Sequence, residues 1–192
     1  IILIAPSWHD GNIMESCIEP ILEKLTTGEY KIIVRPHPQY IRSNEEKVKE
    51  LQNKFSFLSK DTLVFETDFS SSSSIYESDI IITDWSGIGY EFCYSTLRPG
   101  VFINTKRKIM NPEYYKVDLE SLEDRIRNRI GIELELDDIG SIEKQVRDLI
   151  QNASKFQDII KDVRNNELFY FGYSAQKGAE YLINSLISRS KN

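Results

Sequence analysis

The chain has 192 residues, of which 40% are hydrophobic and 28% are charged. This length and balance are typical of one globular domain with its own core, and they exclude a disordered chain. The formal net charge of −6 disfavours nonspecific binding to nucleic acid, which requires a basic surface, so we expect no nucleic-acid partner.

Short apolar runs alternate with amphipathic segments along the first 105 residues. Runs bounded by proline, glycine or polar residues predict strands at 1–5, 30–36, 62–66, 79–83 and 99–105. Apolar residues at helical spacing, or acids after a capping residue, predict helices at 12–25, from 43 to about 54, and at 87–95. This alternation predicts an α/β fold with a Rossmann-like parallel sheet and helices on both faces.

The C-terminal part of the chain follows a different pattern. The segment 131–135 predicts an edge strand, and three helices are predicted at 139–150, 153–164 and 175–189. The aromatic segment 169–174 is expected to pack the tail back across the domain. We interpret residues 1–192 as a single domain, of which 138–192 form a helical C-terminal extension.

Chemically distinctive residues follow the predicted strands. In an open parallel sheet, ligands bind at the carboxyl ends of the strands, where helix N-termini also point. This rim holds both histidines of the sequence, a serine cluster and three consecutive basic residues: Ser7, Trp8, His9, Asp10, Arg35, His37, Asp68, 70–74, 83–87, Lys106, Arg107 and Lys108. Their concentration at one rim predicts a binding site there.

The predicted site suits an anion. Hydroxyl residues and Gly87 at a helix start expose backbone N–H groups, and the helix dipole adds about half a positive charge. Arg35 and the basic triplet at 106–108 could add full charges. A phosphate or diphosphate is therefore predicted. The sequence has no HxxxH or CxxC spacing, so no metal site is predicted, and it has neither GxGxxG after the first strand nor a P-loop.

Two rim motifs resemble those of a known family. RPHP at 35–38 and TDWSG at 83–87, the latter followed by Glu91 and Phe92, resemble the R-x-H-P and TDYSS-x-x-x-DF motifs of the CDP-glycerol glycerophosphotransferases, which include teichoic acid primases and polymerases.

Two flanking segments extend this resemblance over nearly the whole chain. IAPSWHD at 4–10 is similar to the segment that begins the C-terminal half of the family's GT-B fold, and SAQKGAEYLINSL at 174–186 is similar to its closing helix. The chain departs from the family pattern at His9, Trp85, Gly87 and Glu91.

The resemblance implies that the chain is the C-terminal, nucleotide-binding half of a GT-B fold, and that the N-terminal half is absent. It implies a catalytic role for His37 at the donor phosphates, while analogy with nucleotide-dependent GT-B enzymes places Glu91 at the ribose or base. The residues predicted to bind the donor or its phosphates are Arg35, Ser73, Thr83, Asp84, Trp85, Ser86 and Gly87.

Several of these side chains fit a structural role as well. Strand alternation predicts that Arg35 points away from the face of the site, so a strand-end ion pair fits it as well as a phosphate contact. An N-cap of the following helix fits Asp84 or Ser86 somewhat better than a ligand contact. The serines at 70–74 fit either a phosphate or a loop that caps the next helix. The weaker candidates are His9, Ser7, Lys106 and Arg107, because basic runs are often solvated loops rather than sites for an acceptor phosphate.

The predicted function is that of the donor-binding domain of a CDP-glycerol-dependent glycerophosphotransferase. Such an enzyme moves polyol phosphate from a CDP-activated donor to a hydroxyl acceptor in cell-surface polymer synthesis, for teichoic acid or a capsule. Two alternatives stay open: a nucleotide-sugar GT-B glycosyltransferase or epimerase, and a noncatalytic nucleotide-binding module. No cofactor is expected beyond CDP-glycerol or a related CDP-polyol as donor.

The expected partners are a hydroxyl acceptor, lipid-linked or a glycan, and an N-terminal half. The chain opens with IILIAPSW inside a strand pattern, so we expect a domain of a longer protein, nearly inactive alone.

Cys17 and Cys93 lie far apart without a CxxC pair, which indicates a reducing compartment. No apolar run approaches the roughly 20 residues of a membrane helix. We therefore predict a cytoplasmic domain, peripheral on the inner face of the cytoplasmic membrane.

Overall fold

The computed structural model describes residues 1–189, and six parallel strands form one sheet within them. The strands are β1 (Ile2–Ile4), β2 (Ile32–Val34), β3 (Leu63–Phe65), β4 (Ile80–Thr83), β5 (Gly100–Asn104) and β6 (Gly131–Glu135). Their order is β3-β2-β1-β4-β5-β6, with Ile2 paired to Ile32 on one side and to Ile80 on the other. The strand order reverses between β1 and β4, the position at which the loops of an open α/β sheet generally diverge and leave a crevice.

Ten α-helices connect or follow the strands in the described part of the chain. They are α1 (Ile13–Ser16), α2 (Ile18–Leu25), α3 (Pro38–Ser43), α4 (Glu45–Lys54), α5 (Ser73–Glu77), α6 (Ile88–Thr96), α7 (Leu122–Ile130), α8 (Ile142–Gln151), α9 (Ala153–Glu167) and α10 (Ser174–Arg189). Two short 3₁₀ helices, Tyr114–Lys116 and Leu136–Ser141, precede α7 and α8.

The sheet buries both of its faces, as the apolar strands predict. Ile2 and Ile4 of β1 join a core that includes α2, α4 and α8, whereas Leu3 joins a second core with α6, α7 and α9. Successive side chains of a strand point to opposite faces, so a continuous apolar run supplies both cores at once. The predicted parallel α/β fold with helices on both faces is confirmed.

The structure corrects several predicted boundaries. The helix predicted at 12–25 is broken at Cys17 into α1 and α2, although its stripe of Ile13, Cys17, Ile21 and Leu25 is buried as expected. Asn44 occupies the N-cap position of α4 without making the side-chain hydrogen bond predicted there. The edge strand predicted at 131–135 is β6. Three helices were not predicted: α3, α5 and α7.

The C-terminal elements divide into packed and exposed parts. Helices α8 and α9 bury apolar residues in the two cores, including Val146 and Val163. Helix α10 buries none of its residues. The prediction that 169–174 packs the tail back across the domain is wrong, since Phe169 is 83% exposed. The backbone adopts positive φ at Tyr170 and Gly172, and this turn directs α10 away from the core.

Among residues 1–189, the structure has no helix that is both long enough and apolar enough to span a membrane.

Candidate functional site

The turn that follows β4 is tied to the loop that follows β1. The hydroxyl of Thr83 donates to the carbonyl of Ala5 at 2.6 Å. The carboxylate of Asp84 accepts hydrogen bonds from the backbone amides of Ser7 at 2.8 Å and Ile13 at 2.9 Å. Thr83 and Asp84 are completely buried. These bonds fix the two loops at the crevice between β1 and β4.

The structure corrects the role predicted for Asp84 and Ser86. The N-cap of α6 is Gly87, and no side chain caps this helix. Asp84 cannot do so because both of its oxygens bind the β1 loop. Burial raises the pKa of Asp84, and the amides of Ile13 and Ser7 oppose that rise. With its side chain enclosed, Asp84 could meet a ligand only through its backbone.

The start of α6 remains open to a ligand. Gly87 is exposed, and a β-carbon built on it has no neighbour within 4 Å. The amides of Gly89 and Tyr90 donate to the carbonyls of Ser86 and Gly87, which leaves the amides of Gly87 and Ile88 at the positive end of the helix dipole. This end of α6 can therefore bind an anion.

His37 is held in one orientation by its place before α3. It is the N-cap residue of that helix, and its Nδ1 accepts the backbone N–H of Gln39 at 3.0 Å. Because Nδ1 is an acceptor, the ring proton of neutral His37 resides on Nε2. Partial burial, and then the charge of Lys108, lower the pKa of His37. His37 is thus a neutral N–H donor near pH 7.

A cavity of about 270 Å³ joins the loops after β2 and β4. Its wall includes His37 and Arg35 from the β2 loop, Ser86 and Ile88 from the β4 side, and Phe69 from the loop after β3. The structure thus brings two of the sequence motifs, RPHP and TDWSG, to one concave surface. Phe69 was not predicted, because an isolated aromatic in a polar loop gives no signal in the sequence.

Arg35 faces this cavity but is already paired. Its Nη1 lies 2.7 Å from the carboxylate of Glu66 and 3.2 Å from the hydroxyl of Ser74, and its guanidinium lies over the ring of Phe69. The prediction that Arg35 points away from the site is wrong, because β2 ends at Val34 and strand alternation stops there. The ion pair predicted as one of its two roles is present.

The serine cluster begins a helix instead of forming one open loop. Ser73 is the first residue of α5, lies exposed, and donates its N–H to the hydroxyl of Ser71. Ser74 is buried, and its hydroxyl donates to Glu66 at 2.6 Å. The N-cap Ser72 makes no side-chain capping bond. Contact of Ser73 with a donor stays a prediction, as does the role of the exposed Glu91 on α6.

The weaker candidates lie around a second cavity of about 440 Å³. His9 and Lys106 both line it, and they are joined because His9 Nε2 lies 2.6 Å from the carbonyl of Lys106. Lys108 lines the same cavity and lies 4.9 Å from the ring of Trp8. Ser7 is fully buried below this loop, and its hydroxyl has no partner among the described residues.

Trp85 is fixed by neighbours that the sequence did not reveal. Its indole N–H donates to the carbonyl of Thr105 at 3.0 Å. The guanidinium of Arg127 lies 4.0 Å from its ring centre, and that of Arg107 lies 5.6 Å away. Arg127 is fully buried and donates to the carbonyl of Ile103. It was missed because the charged sequence of α7 gives no reason to bury one of its three arginines.

A family model described as CDP-glycerol:poly(glycerophosphate) glycerophosphotransferase matches residues 1–111. The match includes both rim motifs and all of the elements from β1 to β5. The chain belongs to this family. The predicted family is thereby confirmed, and the protein is a transferase by family. A comparison with curated proteins gives no match.

A solved structure of a wall teichoic acid polymerase, a variant of TagF, has a similar fold. It matches over 100% of this chain and 45% of its own, with a TM-score of 0.54 and 14% sequence identity. At that identity the likeness shows the fold alone. It confirms the GT-B-like α/β prediction with a helical C-terminal tail, and the chain spans less than half the length of that polymerase.

Proposed function

We propose that this glycerophosphotransferase-family chain is a donor-binding domain for CDP-glycerol or a related CDP-polyol. The observation that carries the proposal is the convergence of His37, Ser86 and Ile88, the first residue of α6, at one cavity, next to the exposed Gly87. A neutral N–H donor beside a helix N-terminus suits a diphosphate, because it offers hydrogen bonds and partial positive charge. Membership of the family supports a polyol-phosphate transfer in the synthesis of a teichoic acid-like polymer.

The reaction requires mainly the stabilisation of phosphate charge. An acceptor hydroxyl oxygen forms a bond to the phosphorus next to the polyol, while the bond from that phosphorus to the bridging oxygen breaks. CMP leaves with the electron pair of that bond, and the acceptor hydroxyl releases its proton to solvent water. The N–H at Nε2 of His37 and the first amides of α6 would stabilise the oxygens on which charge develops. His37 would act as a donor and not as a base, since its Nδ1 is occupied by Gln39.

The remaining partners follow from this proposal. We place the acceptor, a lipid-linked or glycan hydroxyl, opposite the rim, in a cleft completed by a further domain. The family match and the shared fold support that arrangement, since the TagF chain is more than twice as long. We place the domain in the cytoplasm at the inner face of the cytoplasmic membrane, where a lipid-linked acceptor would meet a CDP-activated donor.

Titration calorimetry with CDP, UDP and GDP tests the proposal. CDP should bind most tightly. Preference for UDP or GDP would favour a nucleotide-sugar glycosyltransferase or epimerase. Binding of CDP without any CMP release, even by a longer protein that contains the other half, would favour a noncatalytic module.

A glycine substitution, measured by the same calorimetric titration, tests where the phosphate binds. Gly87→Val should weaken CDP binding at least about tenfold, because its branched side chain crowds amides that hydrogen-bond a charged phosphate. The matched control is Gly140→Val, since a β-carbon at either glycine has no neighbour within 4 Å. Unchanged CDP affinity in Gly87→Val would move the phosphate away from this turn.

A further inference from the structure

A third cavity lies on the other side of the α6 start. It has a volume of about 620 Å³, a size that suits a small-molecule ligand. Trp85 and Gly87 form the wall nearest to the turn, and residues of the segment 107–121, with Glu123 and Asp124 of α7, form the rest. Because Gly87 belongs to this wall, a molecule in the cavity would lie next to a phosphate bound at α6.

Aromatic rings supply flat surfaces in this cavity. Trp85 is held from behind by Arg127, and Arg107 lies 5.6 Å from the ring centres of both Trp85 and Tyr114. Tyr114 and Tyr115 lie edge to face with their centres 6.4 Å apart. Tyr115 is 71% exposed. Trp85 is fixed and partly exposed, and Tyr115 is open to solvent, so both rings can pack against the C–H groups of a ligand.

The charges of the cavity disfavour a polyanion. Arg107 and Lys108 face three carboxylates in the lining, Glu120, Glu123 and Asp124. Arg107 is already neutralised by an ion pair with Asp124. Carboxylates accept hydrogen bonds from hydroxyl groups but repel phosphates, so the lining favours a neutral ligand rich in hydroxyls.

We propose that this cavity binds a neutral, hydroxyl-rich unit, a sugar or polyol of the acceptor. C–H faces would pack on Trp85 and Tyr115, while hydroxyls would donate to Glu120 and its neighbouring carboxylates. The assignment to the acceptor rests on the proposed function. If the donor phosphate binds at the start of α6, this cavity lies beside that phosphate, where the acceptor hydroxyl must approach. The proposal that a neutral, hydroxyl-rich unit binds here depends only on the residues that line the cavity.

An NMR titration of the chain with maltose, glycerol 3-phosphate and CDP tests the inference. Maltose should shift the indole N–H resonance of Trp85 but not that of Trp8, which lines a different cavity. Tyr115→Ala should weaken maltose binding about 2- to 12-fold, the range that one aromatic contact supplies. Tyr76→Ala is the matched control, since Tyr76 is 61% exposed on α5 and outside this cavity.

Three outcomes would overturn the inference. They are the absence of a maltose shift at Trp85, equal loss of maltose binding in Tyr115→Ala and Tyr76→Ala, and tighter binding of glycerol 3-phosphate than of maltose in this cavity. CDP binding is measured separately, by the shift of the amide resonance of Gly87. A missing CDP shift there contradicts the proposed donor site and leaves the maltose result intact, so the two failures are distinguishable.

Discussion

One histidine ring caps a helix and would also bind phosphate at the proposed site. His37 Nδ1 completes the start of α3 by accepting the N–H of Gln39, and this bond leaves the proton on Nε2. The prolines at 36 and 38 restrict the backbone on both sides of the ring. The capping bond thus selects the tautomer that a phosphate donor needs. Asp84 acts in a comparable way through the backbone, since it fixes the loop after β1.

Two substitutions of His37 separate its roles. His37→Ala removes both the cap and the N–H donor, so we expect a loss of about 1 kcal/mol in the free energy of unfolding. His37→Asn keeps a capping oxygen and should fold with nearly full stability. Both should lose about 10- to 150-fold in CDP affinity, the range for a hydrogen bond to a charged group. Urea denaturation and calorimetry measure the two effects, and full CDP affinity in His37→Asn would leave His37 only its capping role.

The stability of the protein should depend on pH through this ring. The folded chain lowers the pKa of His37, so below about pH 6.5 the unfolded chain takes up a proton that the folded chain resists. The wild type should therefore lose stability relative to His37→Asn as the pH falls from about 7.5 to about 5.5. Urea denaturation at several pH values measures this difference. An equal pH dependence of the two proteins would contradict the lowered pKa.

At the scale of elements, the edge of the sheet depends on a close approach between two strands. Gly131 begins β6 opposite Gly100 of β5. A β-carbon on Gly131 would lie 1.9 Å from the carbonyl oxygen of Gly100, far inside contact distance. The backbone of one strand occupies the space that any other side chain would need.

Gly131→Ala should therefore destabilise the protein. Overpacking of this kind typically costs about 1–3 kcal/mol, and here the obstructing atom belongs to the backbone and cannot rotate away. Gly140→Ala is the control, since its β-carbon meets nothing within 4 Å. Urea denaturation of both variants gives the comparison. Equal stability would mean that β5 and β6 pair in another register.

Elements with a strong apolar pattern could be predicted from the sequence, and the others could not. All six strands were found, five as short apolar runs and β6 as the segment 131–135, which is only partly buried. Helix α7 was missed since its residues are mostly charged and its burial depends on Ile126 and Ile130. The site motifs were found by their place after strands. The partners of Arg35 and Trp85 come from distant segments, so no local pattern in the sequence predicts these contacts.

At the scale of the whole molecule, the proposed donor site would form one wall of a cleft that a further domain completes. The family shown by residues 1–111 and the 45% coverage of the TagF chain support the view that chemistry needs more protein than this. Binding and turnover should therefore separate in these 192 residues.

We expect the chain alone to bind CDP and to release almost no CMP from CDP-glycerol. Bound donor would lack the acceptor and the groups that position it, and positioning supplies much of the rate of phosphoryl transfer. Chromatographic measurement of CMP, with a longer protein that includes the other half as the positive control, checks this. Appreciable turnover by the chain alone would overturn the half-enzyme interpretation.

The pairing of β1 with β4 also determines when the sheet can be completed during synthesis on the ribosome. Ile2 pairs with Ile80, 78 positions later in the chain, and parallel strands form no hairpin that could bring them together early. Strand β1 therefore waits for its second neighbour until the intervening positions have been translated. Until then its edge is unpaired and apolar, so the nascent chain is most vulnerable to aggregation before β1 and β4 have paired.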